Sequence, residues 1–252
     1  MSDTPVRPLE KGYDGAASMA PFTESELWRF FHESPHATSK HLLTLYSLAI
    51  GINAQSIVEL GLGVTTRALR LAATKTGGIL SSCDCDIQRF SHLQQQADQH
   101  WRLFLGSSEK FLSSLPGPFD LVLHDAAHDY YQVKMDLDLI MPRMRTFGII
   151  CVHDVQQTDL ALPMLAAIRD ATRSWQVSAT VVPFNAGLAI IRIEKGQHPA
   201  LTARGGYLPD GRMDTVLRPF PCALASETDA GAKSSLAYWV RWKLRRLLFG
   251  WR

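Results

Sequence analysis

Short apolar runs alternate with longer amphipathic segments along the middle of the chain. Apolar runs of this length predict buried strands, and the amphipathic segments between them predict helices. Five strand–helix units in succession predict a parallel sheet covered by helices on both faces. The predicted strands cover residues 56–60, 78–83, 102–105, 119–123 and 147–152, and the predicted helices cover 65–74, 87–100, 109–115, 131–141 and 160–174.

The last two predicted strands, 177–183 and 188–193, are separated only by residues 184–187. A connection this short cannot cross between parallel strands, so it predicts an antiparallel hairpin at one edge of the sheet. The whole pattern therefore predicts an α/β fold. Its sheet is doubly wound, mostly parallel and seven-stranded, and it ends in an antiparallel edge hairpin.

Segments of different character flank this core, which we place at residues 51–195. Residues 1–50 predict a polar lead followed by a helical cap. Residues 196–252 are rich in Pro and Gly, and they end in a basic, aromatic helix candidate over 238–252. Interleaved tryptophan and arginine suit the surface of an anionic membrane. Docking on the core or a homo-oligomer contact suits that helix equally well, so both alternatives stay open.

Composition removes several function classes. The chain has 46% hydrophobic and 20% charged residues and a net charge of +2, which is ordinary for a globular protein and gives no electrostatic case for nucleic acid. The sequence has no apolar stretch of about 18 residues and no signal-peptide core near its start. Its four cysteines have neither zinc-site nor disulfide spacing. We therefore expect a cytoplasmic protein with reduced thiols.

A nucleotide site is predicted where the first strand ends. Gly61 and Gly63 let the backbone turn sharply and approach a ligand closely, and Thr65 or Thr66 can cap the next helix. Asp84 ends the second strand about twenty residues later, where a carboxylate can accept both hydroxyls of a ribose. An ordinary glycine turn and a helix-capping aspartate are the alternatives.

Two further positions at this end of the sheet are ambiguous. Asp86 competes with Asp84 for the ribose. Ser108 lies in a polar turn after the third strand, where contacts to the edge of an adenine ring would fall, but the turn could equally be a plain helix cap.

A second cluster of polar residues follows the fourth and fifth strands. Asp125 and His128 follow strand four, and His153 and Asp154 follow strand five. Ligands of such folds collect at the carboxyl ends of neighbouring strands, so we expect the four side chains to converge. Carboxylate and imidazole suit a divalent cation, and His128 could take a proton from a hydroxyl. Structural capping is the alternative for each residue alone.

Glu59, Gly61, Gly63, Asp84 and the edge hairpin together resemble the class I S-adenosylmethionine-dependent methyltransferases, over roughly 56–193. The resemblance implies that Glu59 lies near the methionine moiety of the cofactor, that both glycines pass beneath it and that Asp84 holds the ribose. It also implies that Thr65, Ser108 and Asp125 line the cofactor site. Thr65 stands where the family often has a third glycine.

The runs 119–128 and 148–155 look more narrowly like those of small-molecule and sugar O-methyltransferases. That resemblance implies magnesium bound by Asp125, His153 and Asp154, with His128 as the base. His153 occupies a position where an acid is usual. The implied function is methylation of a hydroxyl on a sugar, glycan or other small polar metabolite.

Two other functions remain open at this stage. A nicotinamide-dependent dehydrogenase shares the architecture, but Thr66 stands where its glycine motif has a third glycine. A non-catalytic, membrane-associated protein would keep only the fold.

Overall fold

The structure is a computed structural model that describes residues 19–35, 38–157 and 160–197. Most of the predicted N-terminal lead, nearly all of the predicted C-terminal extension and the helix candidate over 238–252 lie outside the described residues. Within the described ranges, the helices are too short or too polar to cross a bilayer.

A seven-stranded sheet forms the centre, in the order β3-β2-β1-β4-β5-β7-β6. Strands β1 to β5 pair in parallel, whereas β7 runs antiparallel to both β5 and β6. The predicted fold class, with its antiparallel edge hairpin, is confirmed. The strands are β1 (Ser56–Leu60), β2 (Ile79–Asp84), β3 (Trp101–Leu105), β4 (Phe119–His124), β5 (Met144–His153), β6 (Trp175–Val182) and β7 (Leu188–Gln197).

Helices begin where side chains can satisfy the free backbone N–H groups of a first turn. Thr23 and Glu26 form a capping box at the start of the first helix, and Asp129 accepts hydrogen bonds from two backbone N–H groups at the start of the sixth. The helices are α1 (Glu24–Glu33), α2 (Leu42–Gly51), α3 (Val64–Thr76), α4 (Ile87–Phe90), α5 (Ser108–Ser114), α6 (Tyr130–Ile140) and α7 (Ala161–Thr172).

The helix predicted over 87–100 is wrong in its length. α4 ends at Phe90, a 3₁₀ helix follows over Ser91–Gln96, and the chain then turns into β3. Asp98 explains this ending, because its carboxylate accepts a hydrogen bond from the backbone of His100 and its own backbone pairs with Trp101. Local bonds of this kind compete with helix formation.

Apolar side chains cover both faces of the sheet, as parallel strands require. One cluster packs α5, α6 and α7 against one face, and another packs α2 and α3 against the other. β4 is buried along its whole length, between β1 and β5. The carboxyl ends of β1, β2, β4 and β5 therefore open at one edge of the sheet, and the candidate site lies there.

Candidate active site

The first turn of the site is fixed by Gly61. Its φ of +92° belongs to the region that favours glycine, and its N–H donates to the carbonyl oxygen of Cys83 at 2.8 Å. A Cβ at this position would lie 2.0 Å from the carbonyl oxygen of Asp125. The turn that contains Gly61 and Gly63, which we call the glycine bend, therefore lies against Asp125 at the end of β4.

Gly63 differs from Gly61, because the protein itself does not require a glycine there. Its φ of −166° is ordinary extended backbone, and an added Cβ would have only the hydroxyl oxygen of Thr65 within 4 Å, at 3.9 Å. The space beside Gly63 is thus open among the described residues. Open space at the N-terminus of α3 suits a ligand that approaches the backbone.

Glu59 lies fully buried at the end of β1. Its two carboxylate oxygens accept hydrogen bonds from the hydroxyl groups of Thr65 and Ser82, at 2.8 and 2.7 Å. Burial raises the pKa of Glu59 to about 8, although these hydrogen bonds oppose the shift. Thr65 or Thr66 was predicted to cap α3. The hydroxyl of Thr65 donates to Glu59 instead, whereas the hydroxyl of Thr66 accepts a hydrogen bond at 3.1 Å from the N–H of Gly63, the residue before α3.

We expect Glu59→Gln to stabilise the cofactor-free protein at high pH. Between pH 4.5 and about 8 the folded protein keeps the Glu59 proton while the unfolded chain releases it, so stability falls as the pH rises. Glutamine removes this loss and keeps the shape of the side chain. The variant should match the wild type near pH 4.5 and exceed it by a few kcal/mol near pH 8.5, measured by urea unfolding.

Glu109→Gln, on the exposed first turn of α5, is the control for this experiment. In this variant, the free energy of unfolding should differ between the two pH values by as much as it does in the wild type. An equal gain in stability for Glu59→Gln at both pH values would contradict the assignment of a buried, protonated Glu59.

Asp84 joins the glycine bend to the end of β2. One carboxylate oxygen accepts a hydrogen bond from the N–H of Leu62 at 2.9 Å, and the other accepts from the N–H of Asp86 at 2.8 Å. Each oxygen keeps a further lone pair for a ribose hydroxyl. The side chain of Asp86 is exposed. The structure therefore favours Asp84 over Asp86 for the ribose.

Ser108 belongs to a buried network that sequence reasoning missed. Its hydroxyl donates to Asp136 at 2.7 Å and accepts from the side-chain amide of Gln132 at 3.1 Å. The other carboxylate oxygen of Asp136 lies 3.1 Å from Nε2 of His124, and both of these residues are fully buried. The network ties the first residue of α5 to the tip of β4. Its sequence signal is an aspartate among the apolar core positions of α6.

Three of the predicted residues meet at the tips of β4 and β5. Asp125, His128 and Asp154 each place one ligand atom so that all three atoms lie within 4.8 Å of one another. Nε2 of His128 lies 2.8 Å from a carboxylate oxygen of Asp154. All three side chains are partly exposed, so a ligand can reach them. The predicted convergence of the strand tips is thus present in the structure.

His153 lies behind this group and not within it. It is 2% exposed, and its Nδ1 lies 3.0 Å from Asp154 and 3.4 Å from Asp125. Burial alone would lower the pKa of His153, but the two carboxylates outweigh burial and raise it to about 9. His153 was predicted as a metal ligand with Asp125 and Asp154, but the group of close ligand atoms contains His128 and not His153. His153 lies behind the two carboxylates as a buried countercharge.

Asp154 combines unusual electrostatics with an unusual backbone. Burial would raise the pKa of its carboxyl group, but His128 and His153 together hold that pKa well below its usual range. Its φ is +61°, a conformation that a residue other than glycine rarely adopts. Such strain persists where the surrounding structure fixes it and is common at functional sites.

The fold is that of the class I methyltransferases. Residues 58–155 match a family model described as a methyltransferase domain. The matched segment contains the glycine bend and Asp84. It also contains Asp125, His128, His153 and Asp154, which together form the acid–imidazole cluster. The predicted resemblance to S-adenosylmethionine-dependent methyltransferases is confirmed, and the dehydrogenase alternative is set aside.

Solved structures share the fold at low sequence identity. A Staphylococcus aureus protein described as a caffeoyl-CoA O-methyltransferase is 14% identical, with a TM-score of 0.55, over 68% of this chain and 93% of that one. A Podospora anserina methyltransferase bound to SAH is 17% identical, with a TM-score of 0.53, over 71% and 99%. The MycE methyltransferase of mycinamycin biosynthesis, bound to Mg and SAH, is 18% identical, with a TM-score of 0.50, over 76% and 58%. A search of curated proteins found no match.

Proposed function

We propose that the chain transfers the methyl group of S-adenosylmethionine to a hydroxyl of a sugar, glycan or other small polar metabolite. The contact between His128 and Asp154 beside the glycine bend is the observation that carries this proposal. An acid–imidazole pair supplies the base that a hydroxyl acceptor needs. Neighbours of the same fold include the MycE methyltransferase from the mycinamycin biosynthetic pathway.

In this proposal the cofactor lies across the carboxyl ends of β1 and β2. Gly61 and Gly63 form the floor, and Asp84 accepts the ribose hydroxyls. Glu59 lies close to the same bend, where its carboxylate would favour the positively charged methionine end of the cofactor. Binding that charge would reverse the burial penalty on Glu59 and favour its ionised form.

His128 would take the proton from the acceptor hydroxyl. The carboxylate of Asp154 contacts Nε2 and therefore favours the tautomer with its proton on that nitrogen. This tautomer leaves the lone pair of Nδ1 free to accept a proton. As the hydroxyl oxygen attacks in line, the new O–C bond forms while the S–C bond of the cofactor breaks. S-adenosylhomocysteine leaves, and His128 holds the proton.

The donor set also fits a divalent cation. Asp125 and Asp154 supply carboxylate oxygens, and an imidazole nitrogen of His128 completes a group of three donors. The nitrogen that contacts Asp154 is Nε2. An ion held there would lower the pKa of the acceptor hydroxyl. Because Nε2 cannot bind an ion and also hold the proton that the base tautomer needs, His128 has only one of the two roles. We propose that Asp125 and Asp154 hold the ion and that His128 is the base.

We expect removal of divalent ions to lower the rate of methyl transfer by about tenfold or more, and added Mg²⁺ to restore it. The binding of Mn²⁺, followed by calorimetry, should weaken by a similar factor in Asp125→Asn. His128→Ala should leave that affinity unchanged. A rate that does not respond to a chelator would remove the ion from the mechanism, whereas weaker Mn²⁺ binding in His128→Ala would make this residue a ligand.

The reaction class is tested by supplying S-adenosylmethionine with a panel of alcohols, sugars and glycosides and measuring the release of S-adenosylhomocysteine. Mass spectrometry and NMR of the product then locate the new methyl group. Methylation at oxygen supports the proposal. Binding of the cofactor with transfer only to nitrogen or carbon acceptors would refute it.

A further inference from the structure

Three aromatic rings contact one another in series, from His153 beside Asp125 and Asp154 to Phe184 at the surface. The rings of His153 and His41 lie 5.1 Å apart, edge to face, and His41 stacks on Phe184 at 5.0 Å with only 9° between the ring planes. The inner ring contacts Asp125 and Asp154. The outer ring lies between β6 and β7, at the tip of the edge hairpin.

Phe184 presents aromatic surface to solvent. The residue is 45% exposed although one face of its ring is covered by His41. The stacking leaves the opposite face as the one that a ligand can reach. Exposed aromatic rings at the rim of a polar site commonly form part of a binding pocket.

The hairpin turn holds this ring in place. His41 is fully buried, and its Nε2 donates to the carbonyl oxygen of Asn185 at 3.1 Å. The N–H of Gln156, two residues after Asp154, donates to the carbonyl oxygen of Ala186 at 2.7 Å. The N-terminal cap and the loop after β5 therefore both anchor the turn. An aromatic ring that is fixed in this way loses little entropy when a ligand stacks on it.

The turn also carries backbone strain. The φ angles of Asn185 and Ala186 are +48° and +65°. Neither residue is a glycine, so the surrounding contacts must maintain this conformation. Strain kept on a turn that presents an exposed ring is consistent with a binding role for that ring.

We infer that Phe184 is a platform for a second ring of the acceptor, distinct from the unit that is methylated. The rings of Phe184 and His41 would lie between His153 and a ligand ring stacked on the outer face of Phe184. The hydroxyl that reacts therefore belongs to a neighbouring unit of the acceptor. The acceptor is then a molecule of two or more linked units, one of which has a flat apolar face. A pyranose and an aromatic ring share this chemistry. The inference rests on the proposed function and deepens it.

Ligand-observed NMR tests the platform without requiring turnover. The full chain bound to S-adenosylhomocysteine is mixed with cellobiose, phenyl β-glucoside, methyl β-glucoside or sorbitol. The upfield methyl protons of the protein are saturated, in a region where none of the four probes has signals. Saturation should reach the two-ring probes most strongly and sorbitol least. A stronger signal on the phenyl protons would identify an aromatic unit, and one on cellobiose a sugar. Absence of transfer to either two-ring probe would overturn the platform.

Phe184→Leu should reduce this transfer by about threefold or more, because leucine keeps the apolar character but lacks the flat ring. Phe184→Tyr should preserve it. The matched control is Phe147→Leu, which changes another exposed phenylalanine, near the start of β5 and away from the strand tips. Unchanged transfer in Phe184→Leu, with the cofactor product still bound, would overturn the inference.

Kinetics separate the platform from the proposed reaction. With a methylated two-ring acceptor, Phe184→Leu should raise KM by about five- to tenfold and leave kcat within about twofold. Stacking on Phe184 without any O-methylation would contradict the proposed function alone. O-methylation of single units, with KM unchanged in Phe184→Leu, would contradict the platform alone.

Discussion

His128→Ala is expected to lower kcat for methyl transfer by about 10²- to 10⁴-fold, the usual contribution of a general base. Alanine removes the only imidazole in the described part of the chain that combines partial exposure with a contact to Asp154. The side chain contributes little to the core, so folding should persist. The affinity for S-adenosylmethionine, measured by calorimetry, should change by less than about threefold, because the cofactor floor is built by other residues.

Two controls make this result specific. His32→Ala changes an exposed histidine of α1 and should leave kcat unchanged. Asp154→Asn keeps the shape of the partner but loses its charge, so it should lower kcat less than the loss of the base itself. A His128→Ala enzyme with wild-type kcat and intact cofactor binding would show that another group takes the proton, and the proposed mechanism would fail.

The fold could be predicted because burial alone shapes its sequence pattern. β4 is buried between two parallel neighbours, and the apolar residues of its run Phe119–Leu123, interrupted only by Asp120, are what such a strand requires. The hairpin of β6 and β7 followed from the shortness of its connection. The helix after β2 was mispredicted because the local hydrogen bonds of Asp98 with His100 and Trp101 end the helical pattern, although the polar and apolar spacing continues through them. Asp98 is also paired with Arg70 of α3, a contact between distant residues that has no signature in a local window.

The residues at the candidate site could be predicted from the sequence, but the contacts between their side chains could not. Strand order brings the tips of β4 and β5 together, and the predicted residues meet there. Which of the two histidines lies on the exposed side of the carboxylates and which lies buried behind them depends on side-chain direction, which the order of residues does not specify. The role of His41 could not be predicted from the sequence either, because its contact with Asn185 joins opposite ends of the core.

The two glycines of the bend give the other large effect, and they should behave differently. Gly61→Ala places a Cβ 2.0 Å from a backbone oxygen and a side chain on a φ of +92°. The left-handed backbone alone costs about 1–2 kcal/mol, and the displaced strand tip adds to it. We expect a loss of about 3 kcal/mol or more in the free energy of unfolding, together with loss of cofactor binding.

Gly63→Ala should leave the fold intact and weaken the cofactor. Its Cβ has only Thr65 nearby, so the free energy of unfolding should change by less than about 1 kcal/mol. The added methyl group would occupy the open space at the start of α3, and the affinity for S-adenosylmethionine should fall by about tenfold or more. Gly51 lies at the end of α2, and an added Cβ there would have nothing within 4 Å. Gly51→Ala should therefore lower neither the free energy of unfolding nor the affinity for S-adenosylmethionine.

The contrast between these variants separates a structural glycine from a binding one, and urea unfolding with calorimetry measures both effects. Gly61 is needed because the protein's own backbone lies against it, whereas Gly63 is needed only if a ligand does. Wild-type cofactor affinity in Gly63→Ala would therefore mean that the cofactor does not approach the start of α3. The arrangement that brings its methyl group towards His128 and Asp154 would then be wrong, even with the fold and the acid–imidazole cluster intact.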